Sequence, residues 1–251
     1  MAIGPKKVVK MATGKKSKNL KIKDIELKED SFTIDDLNLE NKNSLKLKTL
    51  LEAVSSCQIS DAYNNLYRES GVIKGLKSLT DKKGYGKIKT CLTDANDWGT
   101  AVAGIDYADK GDVLFIKTSD EPIAVWGELA STCAREEEIA AVAIYGYMRD
   151  IDVIKHMDYP LFCRDYCSNA GTPLGTGKLS VDLEIDGNTI KDGDFFFGDE
   201  SGALVIPAEK FNDVMIETLN IKLKEEQILK NLKEGRTLAE IVNVKDNFKE
   251  I

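Results

Sequence analysis

Histidine is almost missing from this sequence: His156 is the one histidine in 251 residues. That excludes every site drawing two or more histidines from one chain, including the HExxH zinc peptidases and three-histidine zinc centres. A Ser-His-Asp triad would have to use His156, and no Gly-x-Ser-x-Gly elbow exists to partner it. Cysteine is sparse too. Cys57, Cys91, Cys133, Cys163 and Cys167 are odd in number and scattered, which points to reduced, structural thiols. Cys163 and Cys167 are separated by three residues, so they form neither a CxxC redox pair nor half of a zinc ribbon. With 5 prolines and 19 glycines the chain is not collagen-like. Long apolar runs are absent. The longest, Ile139 to Met148, is bounded by Glu138 and Arg149 and falls well short of the roughly 20 residues a spanning helix needs. The N-terminus carries lysines but no apolar core of a secretory signal, so the expected location is cytoplasmic, with no membrane attachment. If the chain is an enzyme, its acid–base work falls to carboxylates, lysine, tyrosine or metal-bound water.

What is present suffices for a packed core. Hydrophobic residues make up 42% and charged residues 31%, with 35 Lys+Arg against 42 Asp+Glu and a net charge of −7. The charge is unevenly spread. Residues 1–23 hold eight lysines and no acid, whereas 24–251 hold 27 basic residues against 42 acidic. The basic segment reads as a solvated tail or an edge strand. It lacks aromatics, arginines and any binding motif, and the −15 of the remainder argues against a nucleic-acid partner. Residues 24–43 turn acidic and polar and read as a linker. The expected organisation is an extension over 1–45, basic then acidic, followed by one domain over 46–251.

Helical spacing begins near Ser44, with Leu47, Leu50, Leu51 and Val54 on one face. Ser60 is expected to cap a short helix ending at Gly71. A strand is expected at 87–93, a helix at 98–107, strands at 112–118 and 123–126, a helix at 129–138 and a buried strand at 139–145. From 161 to 206 the pattern is β-rich, with turns at Asp186-Gly187-Asn188 and Asp192-Gly193-Asp194. Pro207 opens a long helix to about Leu232, with Phe211, Met215, Leu219 and Leu223 in register, and a last short helix starts near Thr237. No internal repeat is visible. Alternating strands and helices followed by a β-rich stretch predict a layered α/β domain with a mixed sheet.

The stretch that carries chemistry is Trp126-Gly127-Glu128-Leu129-Ala130, with Tyr145-Gly146-Tyr147-Met148-Arg149-Asp150 after it. Twenty residues separate Glu128 from Arg149, which a short helix and a return strand fill. Such a unit returns Arg149 and Asp150 to the sheet edge where Gly127 and Glu128 begin, outside the carboxyl ends of the strands. The free amides of a helix starting at Gly127 would hold an anion. Arg149 supplies a planar fork for a carboxylate. Glu128 and Asp150 supply hard oxygens suited to Mg²⁺ or Mn²⁺. The plainer alternative is a surface Arg149–Asp150 ion pair and a first-turn acid at Glu128. The run Gly171-Thr172-Pro173-Leu174-Gly175-Thr176-Gly177-Lys178 fails the phosphate-loop template and reads as a flexible loop. His156 reads as a surface or half-buried histidine.

At Gly127-Glu128-Leu129-Ala130 and Gly146-Tyr147-Met148-Arg149-Asp150 the chain resembles the RraA-like family. That family includes class II aldolases for 4-hydroxy-4-methyl-2-oxoglutarate and 4-carboxy-4-hydroxy-2-oxoadipate, and the ribonuclease E regulator RraA. Its aldolases carry an acid, twenty residues, then Arg-Asp. Further matches are Ile59-Ser60-Asp61-Ala62, Lys110-Gly111-Asp112-Val113-Leu114, Gly193-Asp194 and Gly198-Asp199-Glu200-Ser201-Gly202-Ala203-Leu204-Val205-Ile206-Pro207, spanning roughly 55–240. The chain departs from the pattern at Glu128, where the aldolases tend to have Asp, at Val153 in place of a frequent acid, and at Asp192 in place of a proline.

The resemblance implies a three-layer β/β/α swivelling-type domain with a mixed sheet and a C-terminal helix. It implies a homotrimer or hexamer with sites between subunits. Asp150 would hold Mg²⁺ or Mn²⁺, Glu128 would hold it through water, and Arg149 would bind the substrate carboxylate or keto oxygen. The amides of Leu129 and Ala130, with Gly127 beside them, would hold the pyruvyl carboxylate. Glu225, or less well Glu226, from a neighbouring subunit would complete the shell. The implied activity is retro-aldol cleavage of a 2-oxo acid to pyruvate through its enolate, with oxaloacetate decarboxylation by the same route. The competing reading is an RraA-type, non-catalytic, protein-binding regulator of ribonuclease activity, or a silent structural relative. A methyltransferase reading has no support, since no strand–GxGxG–helix site is found.

Overall fold

The computed structural model describes residues 20–25 and 32–248. The tail-or-edge-strand expectation for the basic segment therefore falls, over 1–19, outside the described residues, as does 26–31 of the expected linker.

The helices are α1 (Lys42–Ala53), α2 (Ser56–Tyr67), α3 (Trp98–Tyr107), α4 (Glu128–Glu136), α5 (Ile151–Ile154), α6 (Phe211–Lys233) and α7 (Leu238–Ile241). The strands are β1 (Lys77–Ser78), β2 (Gly84–Leu92), β3 (Val113–Lys117), β4 (Ala124–Trp126), β5 (Ala141–Met148), β6 (Leu161–Tyr166), β7 (Lys178–Leu179), β8 (Leu183–Ile185), β9 (Asn188–Ile190), β10 (Phe195–Asp199) and β11 (Gly202–Ile206). The main sheet runs β1-β6-β5-β3-β2-β10-β11, with β4 added at the end of β5 and β7 beside β2. Strands β2, β3, β5 and β6 are mutually parallel, while β10 is antiparallel to both β2 and β11, so the sheet is mixed.

The two-residue side-chain period of strands sorts the core into layers. On β3, β5 and β6 one set of side chains (Leu114, Ile116, Val142, Ile144, Leu161, Cys163) packs under α3 and α4 with Ala101, Ile105 and Ala134. The alternate set (Val113, Phe115, Ala141, Ala143, Phe162) faces inward onto Phe196, Ala203 and Val205 and onto the β8–β9 hairpin residues Leu183, Ile185 and Ile190. The sheet curls far enough for Phe162 of β6 and Phe196 of β10 to meet edge to face at 5.3 Å. The run Phe195-Phe196-Phe197 shows the sorting within three residues. Phe196 points into this inner layer, while Phe195 and Phe197 point outward under α1, α2 and α6. The expected β/β/α arrangement is therefore present, with a second helical layer over β10 and β11.

That second layer corrects two boundaries. The helix expected to be capped by Ser60 is capped five residues earlier, by Ser55. Ser55 caps α2 through a reciprocal box with Gln58, whose side chain accepts the Ser55 amide at 3.0 Å. It ends at Arg68 in a left-handed conformation (φ 58°), ahead of Gly71. The stretch expected as linker also contributes to the core. Ile25, Phe32 and Leu37 are buried with α1, α2 and α6, and the Phe32 amide donates to Asn212 on α6 at 3.1 Å. Packing thus begins before residue 46. In the other direction, Phe211, Met215 and Leu219 of α6 are buried but Leu223 is exposed. A helix of 23 residues runs about 35 Å and outreaches five-residue strands of about 17 Å. Among the described residues no helix is long and apolar enough to cross a membrane.

Candidate functional site

Strands β4 and β5 run parallel, with Trp126 opposite Met148, so their carboxyl ends lie side by side. The register continues one residue further, where the Arg149 amide donates to the Trp126 carbonyl at 3.0 Å. Beyond that point both chains turn. Gly127 opens α4, and its carbonyl takes both the amide (3.0 Å) and the hydroxyl (2.9 Å) of Ser131, whose oxygen accepts the Trp126 indole N–H at 2.9 Å. Asp150 turns left-handed (φ 61°), a conformation aspartate tolerates better than most residues, and caps α5.

These two turns place Asp150 against the start of α4. Its Oδ2 accepts the Glu128 amide at 3.0 Å and lies 3.7 Å from Arg149 Nε. The approach requires glycine at 127, since an added Cβ would sit 2.4 Å from Asp150 Oδ2 and 3.2 Å from Arg149 Cγ. The amides of Glu128, Leu129 and Ala130 precede the first intrahelical bond of α4 and have no acceptor within the helix. Asp150 takes the first of them. Gly127, Glu128, Leu129, Ala130, Arg149 and Asp150 all line one cavity of about 410 Å³. The carboxylate of Glu128 is exposed. Glu225 lies apart in the single chain, on α6, where it accepts a hydrogen bond from Gln58. His156 is exposed in the turn after α5, and Glu226 is exposed on α6.

The sequence does not announce the contribution of α3. Trp98 and Val102 of α3 line the same cavity, as do Ala170 and the β4 residues Ala124, Val125 and Trp126. The Trp98 indole is fixed by donating to the Gly171 carbonyl at 3.1 Å. Behind it, the glycine-rich run expected as a flexible loop is wrapped around a carboxylate of the chain itself. Asp97 Oδ1 accepts the amides of Gly99, Leu174 and Gly175 (2.9, 2.9 and 2.8 Å). Its Oδ2 accepts the Thr100 hydroxyl (2.8 Å) and the Thr176 amide (2.7 Å). Asp97 is fully buried. Burial alone would raise its pKa, but the hydrogen bonds from Gly175, Thr100 and Thr176 outweigh it and hold the carboxyl well below the usual range. The available signal was Asp97-x-x-Thr100 directly ahead of an apolar helix, a capping pattern. Asp192, the departure from the family's proline, has a structural use: it binds Thr90 on β2 (2.6 and 2.7 Å), Ser180 (3.0 Å) and Tyr107 at the end of α3.

The polar groups of the cavity give a metal ion few protein donors. Among the described residues no group of three or more His, Cys, Asp or Glu is gathered. What the cavity offers is Asp150, half-exposed, and the exposed Glu128. One or two carboxylates on an open cavity fit Mg²⁺ or Mn²⁺, which keep several waters, and do not fit a dehydrated all-protein cage.

The chain is similar to known proteins of the RraA-like family. A model of the RraA-like family, described as Aldolase/RraA, matches residues 56–205. An uncharacterized protein of Methanocaldococcus jannaschii is 31% identical over 176 residues, covering 68% of this chain and 85% of its own. A protein of Halalkalibacterium halodurans named "Putative 4-hydroxy-4-methyl-2-oxoglutarate aldolase" is 28% identical over 168 residues, covering 66% of this chain and 79% of its own. The crystal structure of an uncharacterized protein from Pseudomonas syringae pv. tomato superposes with a TM-score of 0.67 at 26% identity, over 77% of this chain and 96% of that one.

Proposed function

The chain belongs to the RraA-like family, and from that premise we propose that it is a divalent-metal-dependent lyase that cleaves a 2-oxo acid to pyruvate. The observation that carries this reading is the meeting of Gly127, Glu128, Arg149 and Asp150 at one cavity. They converge at the carboxyl ends of two parallel strands, where α/β folds place their ligands.

Each group has a task in the cleavage. The amides of Leu129 and Ala130, at the positive end of α4, bind the substrate's 1-carboxylate. Arg149 sets its fork on the 2-oxo oxygen, where negative charge develops as the C3–C4 bond breaks and its electron pair passes into the pyruvate enolate. Asp150 would hold the cation, and Glu128 would support it through water. Mg²⁺ or Mn²⁺, when bound, supplies Lewis-acid polarisation of the 2-oxo acid. Glu128, exposed beside the cavity, also positions the water that takes the proton of the C4 hydroxyl. The enolate is then protonated at C3 to give pyruvate. In oxaloacetate the same bond breaks with loss of CO₂ and no hydroxyl proton to remove. In a trimer or hexamer, Glu225 from a neighbouring copy completes the polar side.

The test is pyruvate release from oxaloacetate and from 4-hydroxy-4-methyl-2-oxoglutarate, with Mg²⁺ or Mn²⁺ and with chelator, by the wild type and Asp150→Ala. Release abolished by both chelator and substitution supports the lyase. No release from either by the folded protein transfers the weight to a protein-binding regulator of the RraA type.

A further inference from the structure

The cavity is lined by two unlike kinds of group. Arg149, the Asp150 carboxylate and the α4 amides suit a single carboxylate with its neighbouring oxo group. The rest of the lining is apolar, and includes Trp98 and Val102 from α3 and the side chains of Leu129 and Ala130 from α4. The volume, about 410 Å³, is within the range of small-molecule sites and leaves room beyond a pyruvyl unit. The α3 part of the lining is also preformed. Trp98 is held by Gly171, and the helix that carries it is capped by Asp97, which fastens 174–176 to the same point. Gly99 packs so closely there that a Cβ would lie 2.7 Å from the backbone of Pro173. A wall fixed this way does not reshape itself around a charged group. A second carboxylate against this apolar lining would be stripped of water by an indole and aliphatic side chains, and Arg149, the one Lys or Arg among the lining residues, is already assigned to the pyruvyl unit in the lyase reading.

We propose that the C4 substituent of the substrate is apolar, an alkyl or aryl group, and that Trp98 and Val102 select it. The substrate class is then a 4-hydroxy-2-oxo monocarboxylic acid, in contrast to the dicarboxylate in the name of the Halalkalibacterium relative. This inference rests on the lyase reading for its chemistry. Retro-aldol cleavage of such an acid breaks C3–C4, moves the hydroxyl proton to water, and yields pyruvate with an apolar aldehyde or ketone.

Binding and turnover together test it. Uncleavable 2-oxo acids report the pocket without chemistry. Calorimetry with Mn²⁺ present compares 4-phenyl-2-oxobutanoate, 4-methyl-2-oxopentanoate, pyruvate and 2-oxoglutarate. The chain's 2 tryptophans, Trp98 and Trp126, both line the cavity, so quenching of their fluorescence gives an independent reading. The phenyl and methyl acids should bind at least about tenfold tighter than 2-oxoglutarate. Trp98→Ala should cost the phenyl acid about tenfold more affinity than it costs pyruvate. Val102→Arg, which adds a cation to the wall, should turn the preference toward 2-oxoglutarate. Turnover then compares 4-hydroxy-2-oxo-4-phenylbutanoate with 4-hydroxy-4-methyl-2-oxoglutarate. Tighter or equal binding of 2-oxoglutarate by the wild type, or faster cleavage of the dicarboxylate, overturns the pocket assignment and leaves the lyase standing. Preference for the apolar acids with no pyruvate from any substrate supports the pocket and overturns the lyase. Failure of every 2-oxo acid to bind overturns both.

Discussion

Gly127 and Asp150 are in contact: a Cβ on the glycine would sit 2.4 Å from the carboxylate oxygen that accepts the Glu128 amide. The obstacle it would meet is the end of a side chain, which can swing away, so the fold should survive the change. Gly127→Ala is expected to cost only about 1 kcal/mol of stability as a helix-cap substitution. Displacing Asp150 by an ångström or so should nevertheless lower pyruvate release by about 100-fold. Thermal melting and steady-state kinetics on one preparation check this. A variant that melts early and loses no activity per folded molecule would remove Asp150's position from the argument.

Arg149 separates charge from shape. Lysine keeps the positive charge but lacks the planar fork that can span a carboxylate and an oxo oxygen. Arg149→Lys should lower kcat/KM by about 100-fold or more, the range seen when one oriented donor to a developing oxyanion is lost. Its stability should stay near wild type, because the side chain is about half exposed. Near-normal kinetics would leave Arg149 as a surface partner of Asp150.

Why the meeting of Glu128 with Arg149 is legible in the sequence, and the α3 contribution to the cavity is not, comes down to sequence distance. A helix and a return strand span a fixed length, so twenty residues between Glu128 and Arg149 suffice to place them together, and β4 and β5 do so. The α3 boundaries were legible for a similar local reason, since Trp98, Val102 and Ile105 repeat at helical spacing over 98–107. Asp97 finds most of its partners 77 to 79 residues away, and no local pattern announces that pairing. The glycine-rich run looked mobile because its composition is that of a flexible loop, whereas its amides are anchored on a buried charge. The start of α2 was misplaced because Ser55 and Ser60 can both cap a helix, and the Ser55–Gln58 box decides between them.

Phe32 tests where the folded unit begins. It is 2% exposed, packed among α1, α2 and α6, in a stretch whose composition reads as linker. Removing a buried phenyl ring leaves a cavity as well as lost transfer energy, so Phe32→Ala should destabilise by about 3–5 kcal/mol. Urea unfolding measures it. A loss below about 1 kcal/mol, the scale of surface substitutions, would make residues before 46 a detachable extension after all.

Asp97 makes a prediction with a definite sign in pH. Its carboxyl is held below the ordinary value by hydrogen bonds that need the charged form. A folded-state pKa below the unfolded one, about 3.9 for aspartate, contributes stability that is complete above that pH and lost as pH falls toward the lower folded value. Asp97→Asn should therefore be less stable than wild type at pH 7. It removes the charge and turns an amide group toward N–H donors, which should cost at least about 2 kcal/mol, or roughly 4–8 °C in Tm. Below about pH 4 the Asp97 carboxyl takes up a proton in the unfolded chain before it does so in the folded one, and the gap between the two proteins should narrow. Other carboxylates titrate alike in both, so the difference between the two melting curves isolates Asp97. A gap that stays constant from pH 7 to pH 3 would mean the loop holds the residue by shape and not by charge.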